Sequence, residues 1–130
     1  MICYLLDTHA ILWYIYGDSR LSETARKIIE SNNCYFSYAS FWEISIKQSK
    51  NKLEFNHTVF EIDEMCKQAG FSKLQITLAD FDKVRNLQFQ DNIKHNDPFD
   101  RLLISQAINN DMTIITCDEK IPLYDVKTVW

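Results

Sequence analysis

The chain has 130 residues, of which 46% are hydrophobic and 25% charged, a composition that fits a soluble globular protein with one core and excludes a disordered or low-complexity polypeptide. A net charge of −4 argues against a nonspecific nucleic-acid binder, which would meet phosphates with a basic surface, unless clustered acids hold cations at the working face. Two Gly and two Pro leave room for few sharp loops and point to mostly regular, helix-rich structure.

In chain order, ICYLL (2–6) is a continuous apolar run of the kind buried on both faces of a parallel sheet. The surrounding MICYLLDTHAILWYIYG lacks a basic leader and a small-residue cleavage site, and it carries Asp7 and His9, so it does not read as a signal peptide. Helical periodicity follows over 8–16 and 22–31, the second opening on Ser22 of SETARKII, a capping residue with an early Glu. CYFSY (34–38) is a strand candidate; 39–50 and 58–69 are helical; KLQI (73–76) is a weaker strand; 79–88 and 98–110 are helical again. TIIT (113–116) is a second β-branched run, and VKTVW at the C-terminus is a candidate edge strand. Strands alternating with helices predict a single α/β domain over 1–130 with a mostly parallel sheet.

No apolar run is long enough to span a membrane. Cys3, Cys34, Cys66 and Cys117 form no CxxC pair and sit in or beside apolar segments, which predicts free, mostly buried thiols in a reducing cytoplasm. His9, His57 and His95 are equally scattered, which argues against a zinc site.

The acids fall in telling places. Asp7 follows the first strand and Asp118 follows TIIT by one residue; in open α/β sheets ligands bind beyond the carboxyl ends of the strands, although either acid could equally cap a turn or helix. Glu43 lies on the third predicted helix, where it pairs at i,i+4 with Lys47; alone it reads as surface, yet Phe41, Trp42, Ile44 and Ile46 place it near the rim of a buried face. In HNDPFDRLLISQA, Asp97 is a good N-cap and Pro98 suits the first helical position. Asp100 is explained less well by capping, because Leu103, Ile104 and Ala107 follow it at i+3, i+4 and i+7 along a core-facing stripe. Inward carboxylates are rare unless paired or bound to metal.

Two like charges about 4 Å apart repel by roughly 4 kcal/mol at an effective dielectric near 20, so Asp7, Glu43, Asp100 and Asp118 can converge only with protons or cations in compensation. Oxygen donors without His or Cys suit Mg²⁺ or Mn²⁺, which can activate water during phosphodiester hydrolysis.

Together LLDTHA, SFWEISIK, HNDPFDRLLISQA and TIITCD resemble the motifs of PIN-domain ribonucleases, particularly VapC-type toxins of bacterial toxin–antitoxin systems, in order and over essentially the whole chain. The resemblance implies a PIN-like three-layer α/β/α fold with a central, mostly parallel sheet. It also implies a Mg²⁺- or Mn²⁺-dependent endoribonuclease, an RNA substrate, a homodimer and a cognate antitoxin. By the same resemblance Asp7, Glu43, Asp100 and Asp118 match the acidic quartet, and Asp97 matches a possible outer metal ligand. Thr8, Thr116 and Arg101 fall at neighbouring motif positions, where they would orient acids or contact phosphate. Lys47, with Lys50 and Lys52, reads either as a phosphate-contacting patch or as a solvated helix end. Of the aromatics on the first helix, Trp13, Tyr14 and Tyr16, most are expected in the core.

Two alternatives remain at this level. One is a catalytically silent PIN-like binding module. The other is a phosphoaspartate-type phosphatase, for which the second acid of a DxDxT motif and a later lysine motif are missing; a receiver domain would likewise need paired early acids.

Overall fold

The computed structural model describes residues 2–88 and 96–130; His95 lies outside the described residues. In chain order the elements are β1 (Tyr4–Leu6), α1 (Thr8–Ile15), α2 (Glu23–Ser31), β2 (Cys34–Ser37), α3 (Tyr38–Ser49), α4 (Val59–Gln68), β3 (Ser72–Leu74) and α5 (Leu78–Val84). Then come α6 (Pro98–Asn109), β4 (Thr113–Ile115), a 3₁₀ turn (Ile121–Leu123) and β5 (Thr128–Val129). Each predicted segment forms its element, shortened by a residue or more at most ends. The 3₁₀ turn was not predicted.

The five strands form one parallel sheet in the order β3-β2-β1-β4-β5. Alternation along the strands divides the core in two. Leu6, Cys34, Phe36 and Ile115 face one cluster with residues of α1, α2, α3 and α4, whereas Leu5, Tyr35 and Ile114 face another with Leu103, Ile104 and Ala107 of α6 and Tyr124. Both sheet faces are therefore covered, which gives the three-layer α/β/α arrangement and explains the unbroken apolar run of the first strand.

Local signals set the helix starts. Ser22 accepts from the Ala25 N–H at 3.0 Å, and Thr58 with Glu61 and Thr77 with Asp80 form capping boxes. Trp13 and Tyr14 on α1, and Tyr16 at its C-cap, are half-buried against the first core cluster. The cysteines are free: Cys34 and Cys66 are buried, Cys3 is half-buried and Cys117 is exposed, because it lies just past the end of β4. No helix among the described residues is long and apolar enough to cross a membrane.

Candidate active site

Because all strands run the same way, the residues following β1 and β4 emerge on one edge of the sheet, where the antiparallel-running α6 also begins. That edge holds a cleft of about 160 Å³ lined by Asp7, Thr8, His9, Glu43, Lys47, Asp97, Asp100, Cys117 and Asp118. The four acids of the predicted quartet, and Asp97 with them, are thus brought together from parts of the chain more than 100 residues apart.

Asp7 is the N-cap of α1 and is buried; its Oδ1 accepts from the Ala10 N–H at 2.8 Å. Its capping and its place in the cleft are therefore compatible. Burial pushes its carboxyl up to about 6, with the nearby Glu43 and Asp118 charges adding to the rise, while hydrogen bonds from the Thr116 hydroxyl and the Ala10 amide oppose it. The buried Thr116 hydroxyl also accepts from the Asp118 N–H at 3.0 Å, so one side chain ties Asp7 to the turn bearing Asp118. Asp118 is exposed and accepts from the Lys120 and Ile121 amides at 2.7 and 3.1 Å, which fixes it at the start of the 3₁₀ turn.

Glu43 is buried, whereas Trp42 and Ile46, expected to mark the buried face, are 50% and 37% exposed. The inversion has a clear cause: Glu43 points to α1, where the Thr8 hydroxyl donates to its Oε1 at 2.6 Å and Lys47 Nζ meets its Oε2 at 2.7 Å. Trp42 instead packs edge-on against Phe99 of α6. Lys50 and Lys52 are exposed and do not line the cleft, so of the three lysines only Lys47 is a cleft residue.

Asp97 is the N-cap of α6, accepting from the Phe99 and Asp100 amides at 2.9 and 3.0 Å. Asp100 is half-buried at the head of the apolar stripe. Burial first, then the charges of Asp97, Asp118, Glu43 and Asp7, push its carboxyl up to about 8. Arg101 donates to Tyr124 Oη at 3.3 Å and to the Val84 carbonyl at 3.0 Å, and it lines an apolar cavity with Trp42, Phe81 and Leu102. It is not among the residues lining the acidic cleft, and these contacts tie α6 to the end of α5.

Two cleft residues, His9 and Cys117, were not singled out by the sequence. Each is adjacent to a motif acid or threonine, and that adjacency was the only available signal.

Comparison with curated protein sequences returns no significant match. Among solved structures, VapBC2 from Rickettsia felis, bound to a DNA fragment from its promoter, is similar with a TM-score of 0.68 at 14% identity, covering 98% of both chains. VapBC-1 from nontypeable Haemophilus influenzae is similar at 0.62 and 13% identity, covering 98% of this chain and 97% of that one. FitAcB from Neisseria gonorrhoeae gives 0.55 and 17%, covering 98% and 96%. At these identities the likeness is one of fold. The family model for the PIN domain matches residues 4–127, nearly the whole sequence and every cleft acid, and the chain belongs to the PIN-domain family.

Proposed function

We propose that the chain, as a single domain over 1–130, is a divalent-metal-dependent endoribonuclease and the toxin of a VapC-like toxin–antitoxin pair. One observation carries the reading: the carboxylates Asp7, Glu43, Asp97, Asp100 and Asp118 line a single cleft at the carboxyl edge of a parallel sheet.

The donor set suits a hard cation. All five acids offer oxygen, and burial first, then the neighbouring carboxylates, make the charged forms of Asp7 and Asp100 costly without a cation. Among the described residues no three Asp, Glu, His or Cys side chains already form a tight ligand cage. Mg²⁺ needs none, since it keeps several waters and takes one or two carboxylates directly. Asp7, Glu43, Asp100 and Asp118 would hold Mg²⁺ or Mn²⁺, with Asp97 as an outer ligand. Bound there, such an ion supplies an activated water and charge stabilisation for the phosphodiester oxygens. The chain's own residues prepare the cleft: Thr8 and Lys47 orient Glu43, and Thr116 holds Asp7 against the Asp118 turn.

The near-complete coverage of the VapBC structures supports an antitoxin partner, the homodimer rests on the family resemblance alone, and the exposed Trp42, Phe60 and Phe81 offer apolar surface for either. The decisive experiment is cleavage of structured RNA with exposed loops by the purified protein. Cleavage in Mg²⁺ or Mn²⁺ is expected, abolished by EDTA and reduced by orders of magnitude in Asp7→Asn and Asp100→Asn with the fold intact by circular dichroism. RNA bound but never cut, in any divalent cation, would establish the silent binding module instead.

A further inference from the structure

His9 is placed unusually for a residue of α1. Its neighbours Thr8 and Ala10 are buried, yet His9 is exposed and lines the mouth of the acidic cleft. One helical turn on, Trp13 lies against it with ring centroids 5.2 Å apart and planes inclined by 30°. Trp13 is in turn held from two sides. Trp130, just past the end of β5, meets its edge at 5.7 Å, and the Arg20 guanidinium sits 5.0 Å from its ring centre. Arg20 is itself engaged by Asp18 and Glu54, so it braces the indole and is not a free phosphate contact. The result is a three-ring cluster, with His9 stacked on Trp13 and Trp130 at the edge of Trp13, whose outermost member, His9, is exposed beside the carboxylates.

We propose that His9, backed by Trp13, is a nucleobase-stacking subsite that receives the base next to the phosphate being cut in single-stranded RNA. The inference rests on the ribonuclease reading for its substrate class. Three features support it. A strand whose phosphate lies among the carboxylates has His9 within reach, because His9 lines the same cleft. The ring is pre-positioned by packing, so little ordering opposes stacking. Unstacked bases in RNA loops pair their faces with His and other aromatic rings, and such stacking tolerates every base because each has a π-face. Lys47 also lines the cleft, but its ammonium is engaged by Glu43, so the subsite rests on stacking and not on a free phosphate contact.

The test uses the full chain and a fluorescein-labelled single-stranded RNA oligonucleotide, with affinity read by anisotropy in EDTA and steady-state cleavage read in Mg²⁺. His9→Ala should weaken binding and raise KM by about 5- to 20-fold, the lower range for loss of one stacked base, with kcat changed far less. His9→Phe should restore both. An oligonucleotide with an abasic residue beside the cut should lose the same factor against the wild type and nothing further against His9→Ala. RNA affinity and KM within twofold of wild type in His9→Ala, or a full abasic penalty retained in that variant, would overturn the subsite. If the wild type binds RNA in a His9-dependent way but cuts none, the nuclease reading fails and the subsite stands.

Discussion

Asp97 and Asp100 share one turn of α6 but meet different surroundings: Asp97 spends its oxygen on two backbone amides, while Asp100 lies half-buried among other carboxylates. The Asp100 carboxyl stands near 8 in the fold against about 3.8 in an unstructured chain. Between those values the folded, metal-free protein binds more protons than the unfolded chain, so its stability falls as pH rises from about 4 to about 8. Asp7 adds to the same slope between 3.8 and about 6. Asp100→Asn removes its share. In EDTA the variant should match the wild type near pH 4 and melt higher at pH 8, by about 1 kcal/mol after solvent screening, or on the order of 4 °C. Thermal denaturation across that range checks it; a variant no more stable at pH 8 would show that the carboxylate supports the helix start instead. The alignment of Asp100 with Leu103, Ile104 and Ala107 made this residue legible in the sequence. Nothing similar marked His9, because periodicity tells which face of α1 is buried but not which distant segment comes beside the exposed one.

At the scale of elements, the start of α6 serves both helix and cleft, and two substitutions at Asp97 separate these roles. Asn caps as well as Asp but carries no charge; Ala does neither. At pH 5, where Asp100 is protonated, Asp97→Ala should cost about 1 kcal/mol of stability and Asp97→Asn almost nothing. Both should lower the midpoint of the Asp100 titration, followed by NMR of its carboxyl carbon, because Asp97 is the largest charge contribution to its rise. Equal loss of stability in the two variants would mean that the charge, not the cap, holds the turn. The caps at Ser22, Asp97 and Pro98 were legible because capping is local. The buried bond from the Ser37 hydroxyl to Gln106 Oε1, at 2.6 Å, was not, since it joins the end of β2 to α6 across 69 residues. Arg101 shows a related limit: a motif gives its position along the helix, whereas the bond from its guanidinium to the Val84 carbonyl depends on the packing of α5.

For the whole molecule, the strand order β3-β2-β1-β4-β5 puts β1 and β4 side by side, and this adjacency is what carries Asp7 to the Asp118 turn. Alternating strands and helices predicted the parallel sheet, but no local pattern states which strands are neighbours, so the meeting of the acids rested on family resemblance until the topology supplied it. The fold thus assembles like charges that only the native state holds together. A cation that binds this arrangement and not the unfolded chain must stabilise the protein by mass action, by about 2.7 kcal/mol at a concentration 100 times its dissociation constant. For a chain of this length that is a rise in Tm on the order of 10 °C. Protons compete for the same oxygens, because the Asp7 and Asp100 carboxyls stand near 6 and 8 without metal. The gain from Mg²⁺ should therefore be small at pH 5.5 and grow towards pH 8, opposite in sign to the stability lost by the metal-free protein over the same window. Mn²⁺ should act at lower concentration than Mg²⁺, as the general order of affinities at oxygen and nitrogen sites favours transition metals. Melting curves at 5 mM EDTA and at rising Mg²⁺, recorded at each pH for wild type and Asp100→Asn, contain the whole comparison. A gain that is independent of pH, or unchanged in Asp100→Asn, would locate the ion away from this cleft and remove the metal from the proposed mechanism.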